Sequence, residues 1–238
     1  MVFPETRWSH VVRARGREPQ AQAALSDLCA AYYEPVRVFL RSEGRDDELA
    51  RELAQEFFEK LLSGNGVDGA EELRGKFRTF LLGAVKHFLS ARRQHDVRIK
   101  RGSGMVPEPL KAALDSASGL DPADVSVLPP DAAFDRQWAI TVLDRVLAAL
   151  AAEMKAENKE TLFTALTPFL TGGSEYGNLE SAAAHLGVTP AALRVAVHRL
   201  RQRYRDLLRA ELAQTLVPGA SVEEELAALK AALRSGAN

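Results

Sequence analysis

Arginine recurs along the segment 188–212, which reads VTPAALRVAVHRLRQRYRDLLRAEL. On a helix these residues form an apolar stripe with a row of basic residues on each side. The stripe comprises Leu193, Val197, Leu200, Tyr204 and Leu207; one basic row comprises Arg194, His198, Arg201, Arg205 and Arg209, and the other comprises Arg199 and Arg203. Such a helix can be anchored to its domain by the stripe. Its guanidinium groups can then contact the phosphates on the two walls of a groove.

The residues before this helix predict a shorter helix and a tight turn. NLESAAAHL is followed by Gly187, Thr189 is placed as the N-cap, and Pro190 takes the first helical position. This order is typical of a helix-turn-helix. The outward residues of the first turns are small or apolar, which allows close approach to base edges: Ala191, Ala192 and Val195. An ordinary helical hairpin with a basic surface is the alternative.

Residues that could support catalysis or bind a metal do not form a constellation. His95, His185 and His198 fall on different predicted elements, and neither an HExxH motif nor a carboxylate pair for acid–base chemistry occurs. The glycine-rich stretches lack the Gly-Lys-Ser/Thr ending of a phosphate-binding loop. Cys29 is the single cysteine, which excludes an intramolecular disulfide. The sequence therefore predicts a protein that is not an enzyme and needs no cofactor.

Composition and hydrophobic period predict an all-α protein of two small helical domains. Alanine, leucine, glutamate and arginine dominate, and β-branched alternation is almost absent. The predicted domains span residues 1–101 and 136–212. An acidic linker rich in Pro, Gly and Ser joins them at 102–135, with six acids and one lysine. No stretch is apolar enough for a signal peptide or a membrane span, so we expect a cytoplasmic protein without a membrane partner.

The predicted first domain contains three strong helices and ends in a basic segment. One helix runs to about Ser42, the next covers DDELARELAQEFFEKLLSG with an acidic first turn, and the third covers GKFRTFLLGAVKHFLSARRQ. Residues 86–101 carry six Lys or Arg and one acid. Two basic faces joined by an acidic linker favour a polyanionic partner, although a basic face is often only solvated surface.

Three of these stretches together resemble the extracytoplasmic-function group of bacterial sigma factors. DDELARELAQEFFEKLL is similar to that family's Asp-x-x-Gln-Glu-x-Phe helix, FRTFLLGAVKHFLSARRQ to its Phe-Arg-x-Trp-Leu helix, and SAAAHLGVTPAALRVAVHRLRQRYRDLL to its C-terminal helix-turn-helix. The resemblance implies that the first domain binds core RNA polymerase and opens the −10 promoter element. It implies that the second domain binds the −35 element as duplex.

Residue roles follow from the same resemblance. The residues that would contact polymerase are Glu52, Gln55 and Glu56, for which a solvated helix face is the alternative. Those near the −10 element would be Asn65, Lys76, Arg78, Lys86, Arg92 and Arg93. Those on the −35 duplex would be Thr189, Ala191, Ala192, Arg194, Val195, His198, Arg199, Arg201 and Arg205. Phe77, Phe80 and Phe88 could stack on unpaired bases, but core packing is the favoured role for most of them.

Two further interpretations stay open. A free-standing helix-turn-helix regulator would normally bind duplex DNA as a dimer, and the family resemblance also allows an anti-sigma factor or other regulator as a partner.

The tail, residues 213–238, predicts a short helix with Val222, Leu226, Leu229 and Leu233 at helical spacing. We expect it to dock on one of the two domains, either as a lid that occludes DNA or as a small stabilising helix that caps the C-terminal domain.

Overall fold

The computed structural model describes residues 6–14, 18–65, 75–102, 128–170 and 179–235. Over those ranges every regular element is a helix, apart from one isolated antiparallel bridge between Lys76 and Leu216. The all-α prediction is therefore confirmed for the described residues. The chain divides into two compact units: unit 1 comprises Met1–Ala139 together with Thr215–Asn238, and unit 2 comprises Ile140–Gln214.

The helices follow one another in chain order. Unit 1 contains α1 (Arg7–Ala14), α2 (Pro19–Ser42), α3 (Asp47–Lys60), a π-helical turn (Leu61–Asn65) and α4 (Phe77–Gly102). Helix α5 (Pro130–Ala156) begins in unit 1 and continues in unit 2, which also contains α6 (Glu160–Leu170), α7 (Leu179–His185) and α8 (Pro190–Ala213). Helix α9 (Val222–Arg234) belongs to unit 1 again.

The core of unit 1 is built around an aromatic cluster at the start of α4. The ring of Phe77 lies 5.0 Å from Trp8 and 4.9 Å from Tyr32, and Phe80 lies 5.1 Å from Trp8. Because Phe77 and Phe80 are both buried, the structure gives them the core role that the sequence favoured. Phe88 is only half-buried, and its ring lies 5.7 Å from Phe57.

The residues after α8 complete unit 1. The Phe77 amide donates to the Thr215 carbonyl at 2.9 Å, and the Val217 amide donates to the Gly75 carbonyl at 3.1 Å. The Thr6 hydroxyl donates to the Leu216 carbonyl at 2.5 Å. These bonds place a short extended segment between the start of α1 and the start of α4. The tail belongs to unit 1, so the expectation that it docks on one of the two domains is met. The alternative of a helix that caps the C-terminal domain is wrong, because the tail is held by contacts to the starts of α1 and α4.

The predicted linker extends too far toward the C-terminus. Residues 103–127 lie outside the described residues, but α5 begins at Pro130 rather than near residue 136, and Phe134 is fully buried in unit 1. Proline is well suited to the first position of a helix, because it lacks an amide hydrogen that would have no helical partner there. The Pro-Pro step that indicated a linker is therefore a helix start.

Unit 2 has a core of its own. Its buried residues come from all four of its helices, and they form one cluster: Leu150, Leu166, Phe169, Ala183, Leu193, Val197 and Leu200. Helix α5 ends at Ala156, and Asn158, two residues later, is in the left-handed conformation with a φ of +57°. The Lys159 amide then donates to the Met154 carbonyl at 2.8 Å, which satisfies a helix-end acceptor and turns the chain into α6.

Candidate nucleic-acid interface

Helix α8 begins at a turn that local backbone chemistry defines. The Thr189 hydroxyl accepts a hydrogen bond from the Ala192 amide at 3.2 Å, and Pro190 is the first helical residue, so the predicted N-cap is confirmed. Helix α7 ends in a Schellman turn, in which the amides of Gly187 and Val188 donate to α7 carbonyls. Gly187 has a φ of +66°, where glycine is favoured.

The apolar stripe of α8 packs into unit 2 as the sequence predicts. Leu193, Val197 and Leu200 are buried, and Tyr204 and Leu207 are partly buried against the same cluster. The opposite side of the helix is accessible. The predicted duplex-binding residues that are exposed there or at the preceding turn are Thr189, Ala191, Ala192, Arg194, Val195, His198, Arg199 and Arg205.

The first turns of α8 combine small, apolar and cationic surface. Val195 is 50% exposed, more than any other large apolar side chain in the described part of the chain. It lies one helical turn after Ala191 and next to Arg194. Small side chains permit close approach to base edges, a branched apolar group can contact a thymine methyl, and a guanidinium can pair with guanine.

Two arginines of α8 are engaged within unit 2 instead. The Arg201 guanidinium donates to the Phe169 carbonyl from Nε at 3.1 Å and from Nη2 at 2.6 Å. Arg203 forms a bidentate pair with Glu153 at 2.6 and 2.8 Å, and this hydrogen bonding lowers the pKa of the Glu153 carboxyl. Arg201, predicted to contact phosphate, therefore stabilises the end of α6, where carbonyls lack helical partners.

The three residues of α3 that were predicted to contact polymerase lie in two different environments. Asp46 caps the helix by accepting from the Leu49 amide at 2.8 Å. Glu52 and Gln55 are exposed. Glu56 is half-buried and pairs with Lys60 at 2.6 Å and with Arg92, and the hydrogen bond from Lys60 lowers the pKa of its carboxyl. The accessible polar face of α3 is thus centred on Glu52 and Gln55.

The basic side chains described for α4, and that of the residue before it, have acidic partners in unit 1. In the free chain they are therefore paired with carboxylates, and an incoming phosphate would have to replace those partners. The pairs are Lys76–Glu225 (2.8 Å), Arg78–Asp135 (2.5 Å), Lys86–Asp131 (2.7 Å), Arg92–Glu56 and Arg93–Glu43 (2.9 Å).

These five cations differ in exposure. Lys86, Arg92 and Arg93 keep between 44% and 64% of their side chains accessible, and exposed ion pairs of this kind contribute little and exchange readily. Lys76 and Arg78 are only 23% and 14% accessible. Only the three exposed cations are therefore free to reach an incoming polyanion without rearrangement of unit 1.

Glu225 of α9 is the centre of the buried charges. Its side chain is fully buried, Oε1 accepts from Nε of Arg78 at 3.0 Å, and Oε2 lies 2.8 Å from Nζ of Lys76. Arg78 also stacks over the Trp138 ring, 4.5 Å from its centroid. Burial acts to lower the pKa of the Arg78 guanidinium, but its hydrogen bonds and charge interactions with Glu225 and Asp135 outweigh burial and raise it.

Asn65 is the last residue of the π-helical turn after α3, and its side chain lies outside the described residues. Residues 66–74, which cover most of the loop expected to capture a flipped base, also lie outside them.

The sequence interpretation missed the acidic partners of α4. Glu225 of α9 was not identified as a partner of Lys76 and Arg78. Of the predicted apolar stripe, Leu229 is buried and the other three residues are half-buried, and Glu225 and Ala232 complete the buried face of α9. The sequence contained one indication that Glu225 is buried. Glu225 lies four residues before Leu229, and this spacing places both residues on the same face of the helix.

The chain was compared with profiles of known protein families, with curated proteins and with solved structures, and none of these comparisons gives a match. In the described part of the chain, no helix combines the length and apolar character that crossing a membrane requires.

Proposed function

We propose that this chain is a sigma-type transcription factor that directs core RNA polymerase to promoters. The observation that carries the proposal is the exposed start of α8, where Arg194 and Val195 lie on a helix held by a capped turn and a buried apolar stripe. The resemblance of the α3, α4 and α8 sequences to the extracytoplasmic-function sigma factors supports polymerase as the partner. In this proposal the chain acts by binding polymerase and DNA.

Reconstitution tests this function directly. We expect the purified chain to co-elute with core RNA polymerase and to support initiation from promoter DNA that polymerase alone does not use. A free-standing regulator would instead bind palindromic duplex as a dimer and would not associate with polymerase. Failure to co-elute, together with dimeric binding to a palindrome, would refute the sigma proposal and leave the regulator.

Arg194 is expected to read bases and Arg205 to contact phosphate. On duplexes selected from a random pool by the chain, Arg194→Ala should cost about 1–3 kcal/mol and lower the preference for the selected sequence. Arg205→Ala should weaken all duplexes alike and reduce the salt dependence of binding. Fluorescence anisotropy over a salt series measures both. Equal losses on selected and random duplex for the two variants would contradict the assignment.

The exposed face of α3 is expected to bind polymerase. Glu52→Lys combined with Gln55→Ala should weaken association with core polymerase at least about tenfold, because the reversed charge opposes a basic partner surface. The matched control is Gln22→Ala with Asp27→Lys, which makes the same changes on exposed positions of α2. If both double variants co-elute with polymerase as the wild-type chain does, α3 is not the docking helix.

A further inference from the structure

Lys76 and Arg78 share one acidic partner, Glu225, and Nη1 of Arg78 also donates to Asp135 at 2.5 Å. Phe77 between them is fully buried in the aromatic cluster, so the two flanking cations are fixed by the residue that anchors the start of α4. Their groups reach separate oxygens of one carboxylate, Lys76 Nζ to Oε2 and Arg78 Nε to Oε1 of Glu225. The two cations thus form an anion-binding site, and the carboxylate of Glu225 occupies it.

The carboxylate in that site is not needed for packing. Glu225, Leu229 and Ala232 form the buried face of α9, and the other two members of that face are apolar. Burying an ion pair has a large desolvation cost, so an apolar residue of similar volume at position 225 would be expected to serve stability at least as well. A glutamate at position 225 is explained if its carboxylate takes the place of an anionic ligand that binds the same two cations.

A backbone phosphate is the ligand that matches these groups. Lys and Arg are the side chains that most often bind phosphate oxygens in nucleic-acid complexes, and a carboxylate presents the same charge sign and the same acceptor oxygens. The neighbouring exposed cations of α4, Lys86, Arg92 and Arg93, continue the positive charge along the helix. A nucleic-acid strand that follows α4 would reach Lys76 and Arg78 at its end.

We infer that Lys76 and Arg78 form a site for a phosphate of unpaired DNA, and that Glu225 fills this site until α9 is displaced. The inference rests on the proposed function, because it assigns the unpaired strand to α4. In the free chain α9 thus competes with the single strand for Lys76 and Arg78.

The connection to α9 allows such a displacement. The segment 215–217 is held to unit 1 by the backbone bonds to Gly75 and Phe77. After it come Pro218 and Gly219, and Gly219 has a φ of +90°. A helix of 13 residues is marginal without packing. Helix α9 can therefore leave as a unit about this turn while the segment before it stays in place.

Glu225→Gln tests the inference, because it removes the charge and keeps the size of the side chain. We expect binding of a labelled oligothymidylate to become at least about tenfold tighter, because the open fraction of the site increases. The slope of log affinity against log salt should steepen by about 0.7 for each additional phosphate contact. Adding Lys76→Gln to this variant should remove the gain.

The matched control is Glu224→Gln, which makes the same charge change on a residue that is 72% accessible and 3.9 Å from Lys76. An equal gain in the control variant would show a general charge effect and would overturn the inference. No gain for Glu225→Gln would overturn it as well. If the wild-type chain does not co-elute with core polymerase, the proposed function fails; if it co-elutes and the single-strand gain is absent, only this inference fails.

Hydrogen–deuterium exchange on the wild-type chain gives a test that needs no variant. Saturating oligothymidylate at low salt should increase exchange of the α9 amides while the α8 amides stay protected. Unchanged or stronger protection of α9 would contradict displacement, whatever the stability of the Glu225→Gln variant.

Discussion

Replacing Arg78 with leucine is expected to lower the free energy of unfolding of unit 1 by about 3–5 kcal/mol, the usual effect of breaking a buried ion pair. The variant leaves Glu225 fully buried with Lys76 as its remaining ionic partner, and Asp135 loses its 2.5 Å contact. Urea unfolding followed by tryptophan fluorescence measures the loss. Both tryptophans of the chain, Trp8 and Trp138, are buried in unit 1 and report on that unit.

The control for Arg78→Leu is Lys86→Leu on the same helix. Lys86 pairs with Asp131 on the surface, and exposed pairs contribute at most about 1 kcal/mol. The double variant Arg78→Leu with Glu225→Leu should recover much of the lost stability, because no buried charge then remains without its main partner. Equal stability of Arg78→Leu and Lys86→Leu would show that the charges around Glu225 are not buried in solution.

Phe134→Ala is expected to destabilise unit 1 by about 3–5 kcal/mol, the range typical of removing a buried aromatic ring. The ring lies 6.4 Å from Tyr32 and 6.5 Å from Phe39, and its accessible fraction is zero. The measurement is again the urea midpoint from tryptophan fluorescence. This result would establish that the last residues of the predicted linker belong to a folded core.

Asp131→Ala is the control for Phe134→Ala, since Asp131 is exposed in the first turn of the same helix. It should change the urea midpoint little. If Phe134→Ala is as stable as the Asp131 variant, the start of α5 is not packed in unit 1, and the original boundary near residue 136 is the better description.

The sequence predicted those elements whose signals are local. The capped start of α8 was readable from Thr189 and Pro190, and its stripe from the helical period, because both depend on residues within a few positions of each other. The same holds for α3, whose acidic first turn follows the Asp46 cap. For these elements, propensity, capping and burial all favour the same structure.

The sequence did not predict features that depend on distant partners. Glu225 and Arg78 are separated by 147 positions, and no spacing rule connects them. Asp131 and Asp135 were assigned to an acidic linker, and the cations of α4 to contacts with DNA, because composition gives the sign of a charge and does not identify its partner. The Pro-Pro step before Phe134 was ambiguous for a related reason, since proline both ends helices and begins them.

The return of residues 215–235 to unit 1 has a consequence for the order of events during synthesis. Unit 2 leaves the ribosome before this segment does, so its four helices can pack while unit 1 still lacks Leu216, Glu225 and Leu229. Domains usually fold as they emerge, the N-terminal one first. Here the earlier-synthesised unit is completed last, and until then Lys76 and Arg78 remain uncovered on the nascent chain.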